Sequence, residues 1–262
     1  MNQPHQSATV ATVYGSLKGK RVFITGGGSG IGEALVTAFS AQGAQVAFVD
    51  IAVAASEALC LKLADAGLPV PLFAHCDISD IPALQGVMAN FAEKIGDFDV
   101  LVNNAANDQR HQLEEVTLEY WNERIAINQR PMFFACQSVV PGMKRNGGGS
   151  IINVSSISWH VKGGGYPVYA TSKAAVVGLT RGLARDLGAH GIRINTVTPG
   201  WVMTQRQLDL WVNPEAEVEI HKNQCLPGKL MPEHIASMVL FLAADDSVMC
   251  TSQEFIVDAG WC

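Results

Sequence analysis

The chain predicts a doubly wound α/β fold, an open seven-stranded parallel sheet with helices on both faces, and three observations carry that expectation. Short β-branched and apolar runs alternate with longer segments of helical period, the pattern of repeated βα units feeding a parallel sheet. The first such run turns into Thr25-Gly26-Gly27-Gly28-Ser29-Gly30-Ile31-Gly32 directly ahead of a helix-period segment. A length of 262 residues, 48% of them hydrophobic, suffices for one large α/β core. A single domain over residues 18–262 is therefore expected, behind a flexible N-terminal extension over residues 1–17.

The strands are placed near Arg21–Thr25, Gln45–Asp50, Val70–Cys76, Val100–Asn103, Ser150–Val154, Arg193–Thr198 and Phe255–Val257. Helical period is read at Glu33–Gln42, Val53–Ala66, Ile81–Ile95, Leu118–Lys144, Val168–Leu187 and Glu233–Ala243. Thr117 stands where it caps the fourth helix, and Pro232 where it opens the last. Gly200–Met231 shows no clear period and is too long for an ordinary connection, so it is read as a lid over the active site.

Composition narrows the partners. The net charge is −6, from 18 Lys plus Arg against 24 Asp plus Glu, which gives no nucleic-acid footprint. No apolar run approaches the ~18 residues that span a bilayer. Residues 1–17 lack Lys, Arg and a long apolar stretch, unlike a secretory leader, so the expected location is cytoplasmic. Six cysteines without a Cys-x-x-Cys pair read as reduced thiols. Seven dispersed histidines lack His-x-x-x-His spacing, so no metal site is expected.

Glycines at a strand-to-helix turn let the backbone approach a pyrophosphate, and the helix that follows offers unpaired N–H groups and its positive dipole end. Asp50 closes the second strand near the ~20-residue spacing expected of a carboxylate that accepts from ribose hydroxyls. Its charge repels a 2′-phosphate, and no Arg or Lys stands in Gly26–Ser29 or immediately after Asp50. NAD is therefore expected over NADP.

Tyr169 and Lys173 stand at i and i+4, on one face of a helix. A close cation favours a phenolate and lowers its pKa from the usual ~10, so the pair is expected to move protons. With Thr25-Gly26-x-x-x-Gly30-x-Gly32, Asn103-Asn104-Ala105, Asn128, Ser156 and Pro199-Gly200, the pair makes the chain resemble the short-chain dehydrogenase/reductase family over nearly its whole length, with its Rossmann fold. The resemblance implies Tyr169 as general acid/base, Ser156 as donor to the reacting oxygen, Lys173 on the nicotinamide ribose, and Asn128 holding a relay water. Ser155 and Ser158 are rivals to Ser156.

The resemblance further implies cofactor contacts from Gly26, Ser29, Gly30, Ile31, Gly32, Asp50, Asp77, Ile78, Asn104, Ala105, Tyr169, Lys173, Pro199, Gly200, Val202 and Thr204. The family usually follows Asn-Asn-Ala with Gly, whereas this chain has Ala106; a residue with negative φ tolerates the methyl. Asn107-Asp108-Gln109-Arg110-His111, Ser156-Ile157-Ser158-Trp159-His160 and Asp258-Ala259-Gly260-Trp261 are similar to bacterial sugar dehydrogenases of the family. A substrate wall is expected from Asn107, Arg110, His111, Ser158, Trp159, Trp201 and Arg206, whose donors, acceptors and rings suit a polyhydroxylated molecule.

The implied reaction is NAD-dependent oxidation of an aldose at its anomeric carbon to a lactone. One alternative is an acidic sugar derivative, such as a 2-keto-3-deoxy sugar acid, bound through Arg110, Lys162 and Arg206. A remote one is a non-catalytic NAD-binding regulator. Family members often form tetramers, so a homotetramer is expected, with Leu118–Lys144, Val168–Leu187 and the tail Trp261-Cys262 as candidate contacts.

Overall fold

Successive residues of a strand face opposite sides of a sheet, and β1 (Arg21–Thr25) shows this in its core partners. Val22 and Ile24 belong to one buried apolar cluster, while Phe23 between them belongs to the other. The computed structural model describes residues 12–262. In it the chain alternates α1 (Gly30–Ala41), β2 (Gln45–Asp50), α2 (Val53–Asp65), β3 (Leu72–His75), α3 (Ile81–Ile95) and β4 (Val100–Asn103). It continues through α4 (Leu118–Asn128), α5 (Arg130–Arg145), β5 (Gly149–Val154), α6 (Pro167–Gly188) and β6 (Ile192–Pro199). Two short helices, α7 (Gln205–Leu210) and α8 (Pro214–Asn223), precede α9 (Pro232–Ala243) and β7 (Glu254–Val257).

All seven strands are parallel, in the order β3-β2-β1-β4-β5-β6-β7. The order reverses between β1 and β4, which opens a crevice at their carboxyl ends, the place where ligands bind in open α/β sheets. One face of the sheet packs on α1, α2 and α9 through Leu35, Phe39, Leu63, Val239 and Leu240. The other packs on α3, α5 and α6 through Met88, Val139 and Leu187.

A buried polar chain fixes α6 against the sheet. Asn103 Nδ2 donates to Asn153 Oδ1 at 2.8 Å, and Asn153 Nδ2 donates to Thr180 Oγ1 at 3.0 Å. Thr196 Oγ1 donates to the same Thr180 oxygen at 2.8 Å. Because such groups are costly to bury unpaired, the chain ties β4, β5, β6 and α6 into one register.

Three sequence expectations are corrected. The single helix over Leu118–Lys144 is two, broken at Gln129 (φ −130°, ψ −56°). Pro131 has no N–H to give Ile127, and its ring collides with that carbonyl. The aperiodic stretch 200–231 contains α7 and α8, each opened by a side-chain cap: Thr204 accepts from Gln207 N and Asn213 from Ala216 N. Only residues 1–11 of the expected N-terminal extension lie outside the described residues. Residues 12–17 join the fold, because Gln42 bonds both Tyr14 N and the Thr12 carbonyl and Leu17 is fully buried. Leu17→Ala is expected to destabilise the protein by about 2–5 kcal/mol. Chemical denaturation measures this; a loss below 0.5 kcal/mol, of the size usual for surface positions, would return residue 17 to the extension.

Candidate active site

The glycine turn is a cradle closed to side chains. Gly26 (φ +69°) and Gly30 (φ +56°) have left-handed backbones that favour glycine. A Cβ on Gly32 would lie 1.7 Å from the Gly26 carbonyl oxygen, and one on Gly26 would lie 2.8 Å from Ala105 Cα. Ser29, the N-cap of α1, makes no side-chain capping bond, so the first-turn N–H groups stay available to an anion. Those features fit a dinucleotide pyrophosphate.

Thr25 Oγ1 accepts from the Asn104 and Ala105 N–H groups, and Asn104 Nδ2 donates to the Gly26 carbonyl at 2.9 Å. The β4 end is thereby locked beside the turn. The family's glycine is replaced at Ala106, which is not among the residues of positive φ, so the methyl is accommodated. Asp50 accepts from Gly28 N and Ala52 N, each at 2.8 Å, which aims its carboxylate across the cradle and leaves further lone pairs free. Asp77 and buried Ile78 follow β3 next to it. From the other side, Thr204 Cγ2 would lie 3.1 Å from a Cβ on Gly30, and Val202 pairs with Leu230 to hold the base of 200–231 there. Pro199 ends β6, and a Cβ on Gly200 would meet Asp258 Cα at 2.7 Å.

On α6, Lys173 is buried, donates from Nζ to the Val154 carbonyl at 2.8 Å, and lies 5.7 Å from the Tyr169 ring centroid. Burial pushes its pKa down to about 8. Tyr169 departs from expectation: its phenol is driven above the usual tyrosine range, first by burial and then by the Asp108 carboxylate, with the Ser156 hydroxyl acting the other way. In the protein alone, burial and the Asp108 carboxylate outweigh the Ser156 hydrogen bond. Ser155 donates to the Lys173 carbonyl at 2.8 Å and is spent on structure. Ser156 Oγ accepts from Ser158 N at 3.1 Å, which leaves its own hydrogen free to donate.

Asn128 is fully buried, and its side chain is committed: Oδ1 accepts from Asn107 N at 2.7 Å and Nδ2 donates to the Asn107 carbonyl at 3.0 Å. The side chain therefore brackets the loop after β4. At the helix break Met132 N turns to the Gln129 carbonyl, so the Asn128 carbonyl loses its ordinary i+4 donor.

The expected substrate wall divides. Asn107 lies beside Asn128. Buried His111 uses both ring nitrogens internally, with Nε2 accepting from Val168 N at 3.2 Å and Nδ1 2.9 Å from the Tyr120 hydroxyl, so it braces the start of α6 and has no nitrogen for a substrate. Arg110 stacks 4.5 Å from the Trp211 centroid and 5.5 Å from that of Trp201. Arg206 pairs with Asp108 at 3.0 Å. Ser158 Oγ and Trp159 Nε1 are buried without partners, the state of donors that a ligand would satisfy. Asp108 and Gln207 were not singled out from the sequence. Asp108 stood inside the quoted Asn107–His111 run, and only the packing of α7 against that loop reveals it. No cluster of three or more His, Cys, Asp or Glu able to hold a metal occurs among the described residues.

A glycine cradle at the sheet's switch point, with a lysine, a tyrosine and a serine on the carboxyl edge of the same sheet, defines a nucleotide-dependent oxidoreductase. A family model described as enoyl-(acyl carrier protein) reductase matches residues 26–262. D-xylose 1-dehydrogenase of Caulobacter vibrioides is 51% identical over 96% of this chain and 99% of its own. A probable galactose dehydrogenase of Rhizobium meliloti is 44% identical over 94% and 96%. The solved structure of a 7α-hydroxysteroid dehydrogenase complexed with NADH and 7-oxo glycochenodeoxycholic acid superposes with a TM-score of 0.89, at 30% identity, over 93% of this chain and 94% of that one. The chain belongs to the short-chain dehydrogenase/reductase family, is a dehydrogenase, and uses a nicotinamide cofactor. No helix among the described residues is long and apolar enough to cross a membrane.

The depressed Lys173 pKa has a measurable sign. Between about 8 in the folded chain and 10.5 unfolded, the unfolded state binds more protons, so raising the pH through this window favours folding. Buried thiols, raised in the folded state, act in the opposite sense above pH 9 but are common to a Lys173→Met variant. Without cofactor, the unmodified chain is expected to gain stability relative to Lys173→Met from pH 8 to 10, measured by denaturant midpoints. A flat difference would mean that Lys173 is not desolvated.

Proposed function

We propose that the protein is an NAD-dependent sugar dehydrogenase that removes a hydride from the anomeric carbon of a neutral aldose and yields the lactone. The observation that carries this reading is that Ser156, Tyr169 and Lys173 meet at the carboxyl end of β5, on the same edge of the sheet as the Gly26–Gly32 cradle that follows β1. The resemblance to a xylose and a galactose dehydrogenase supplies the substrate class. Ser156 donates to the substrate oxygen, and ionised Tyr169 takes the proton that leaves it. Lys173, held by the Val154 carbonyl, stabilises the phenolate, and a water held at the Asn128 carbonyl of the helix break would link Lys173 to solvent as the proton relay. The bound nicotinamide supplies the hydride acceptor. The remaining cofactor contacts are those named above, from Gly26 through Thr204.

Asp50 favours NAD, because its carboxylate faces the adenosine end with no basic residue beside it. Of the three cations that an acidic sugar would use, Arg206 is paired with Asp108 and Arg110 lies against Trp201 and Trp211, which supports the neutral substrate, while Lys162 is exposed. The segment 200–231 acts as the lid of a single domain. A homotetramer accounts for exposed apolar side chains on two surfaces, Leu118, Trp121 and Phe133 on α4 and α5, and Met249 and Ile256 at the β7 edge of the sheet. Six free cysteines accord with a reducing cytoplasm.

Tyr169→Phe is expected to lower kcat/KM for D-xylose or D-galactose at least about a hundredfold while NAD still binds. Unchanged turnover across a panel of sugars and sugar acids would leave only a non-catalytic NAD-binding role. The unmodified chain is expected to prefer NAD over NADP, and Asp50→Asn to narrow the ratio of their kcat/KM values at least about tenfold, the equivalent of about 1.4 kcal/mol. Equal efficiency with the two cofactors in the unmodified chain would defeat the charge argument.

A further inference from the structure

Asp108 stands between the loop after β4 and α7, whose cap Thr204 lies against the Gly30 turn, and among the described residues it is the carboxylate whose charge weighs on both Tyr169 and Lys173. Its backbone is fixed, since the preceding Asn107 is gripped at both N–H and carbonyl by the buried Asn128 side chain. Its side chain is fixed from the lid: Oδ1 accepts from Arg206 Nε at 3.0 Å, and Oδ2 accepts from Gln207 Nε2. Gln207 is itself held, because its Oε1 accepts from Trp201 Nε1 at 3.0 Å. A charged group is thus placed with both ends supported, between the loop after β4 and α7, and only a quarter of its side-chain surface is exposed.

An ionised carboxylate is an acceptor only, with about four lone-pair sites on its two oxygens. Arg206 and Gln207 take one on each oxygen, which leaves further acceptor sites on both oxygens beneath α7. A molecule with hydroxyls on adjacent carbons presents such donors beside the hydroxyl that reacts. A carboxylated molecule presents a like charge, and of the cations that would offset it Arg206 is paired with Asp108 and Arg110 lies on the faces of Trp201 and Trp211, which leaves the exposed Lys162.

We propose that Asp108 is a specificity-determining residue: it accepts hydrogen bonds from the hydroxyls next to the reacting one and turns away sugars that carry a carboxylate. This inference rests on the reading of the protein as a sugar dehydrogenase. It also assigns the lid a task, since α7 delivers Arg206 and Gln207 to Asp108 and so holds the acceptor in place only when the lid is seated.

The test uses D-xylose, D-galactose, D-galacturonic acid and the neutral amide of that acid, with NAD. Each is read as kcat/KM or, where turnover is absent, as competition against the neutral sugar. With the unmodified chain, the acid is expected to be at least about tenfold poorer than its amide, which differs from it in charge and hardly in shape. Asp108→Asn is expected to reduce that discrimination at least about fivefold and to lower kcat/KM for the neutral sugar, with the dissociation constant for NAD unchanged. An acid equal to its amide in the unmodified chain overturns the proposal even where the variant does not fold. So does an acid-to-amide ratio that Asp108→Asn leaves within twofold. Turnover of neutral sugars with either result defeats the role of Asp108 alone, whereas no oxidation of any neutral sugar defeats the sugar dehydrogenase reading and this inference with it.

Discussion

Lys173 carries an ammonium group into the protein interior with one protein hydrogen bond, to the Val154 carbonyl, and without a carboxylate in contact. Such a charge is costly to bury, and burial depresses its pKa to about 8. The same burial drives the neighbouring phenol of Tyr169 the other way, toward its neutral form. The two groups are therefore held away from the zwitterionic state that proton abstraction needs. Further positive charge at the site favours phenolate, so the site is poised to be activated by its oxidised cofactor.

This arrangement depends on the register of α6. The Asn103–Asn153–Thr180–Thr196 chain fixes that helix to three strands, and Ser155 fixes it again through the Lys173 carbonyl. A slip of one residue would rotate Tyr169 and Lys173 off the pocket-facing side. The parallel sheet then does the assembling. Every strand from β1 to β6 carries a candidate site residue at its carboxyl end: Gly26, Asp50, Asp77, Asn104, Ser156 and Pro199. The crevice between β1 and β4 is the place where these ends diverge enough to admit a dinucleotide.

Where residue type and spacing coincide with a backbone demand, the sequence was transparent. The glycines of the first turn were legible because nothing larger fits, as the 1.7 Å approach of a Gly32 Cβ to the Gly26 carbonyl demonstrates. The strands were legible because parallel strands, covered on both faces, read as continuous apolar runs. Opacity arose where tertiary contacts decide. The break at Gln129 hid inside a helical period that continues on either side of it. Residues 205–223 carry two helices too short for a period to emerge, and their caps compete with ordinary loop chemistry. His111 looked like a substrate residue because an imidazole suits a polyhydroxylated molecule; its partners, Tyr120 and Val168, come from two helices. Asp108 was opaque for the converse reason, since its importance lies in residues nearly a hundred positions away.

The balance of charge around Tyr169 is the centre of this account, and the ionisation of its phenol tests it most directly. Ultraviolet difference titration of the unmodified chain against Tyr169→Phe, with and without saturating NAD, isolates that one group. The account predicts no phenolate from Tyr169 below pH 10 in the protein alone, and a clear shift of its ionisation to lower pH in the NAD complex. A phenolate already present near neutral pH without NAD, or a titration that NAD leaves unmoved, would contradict it.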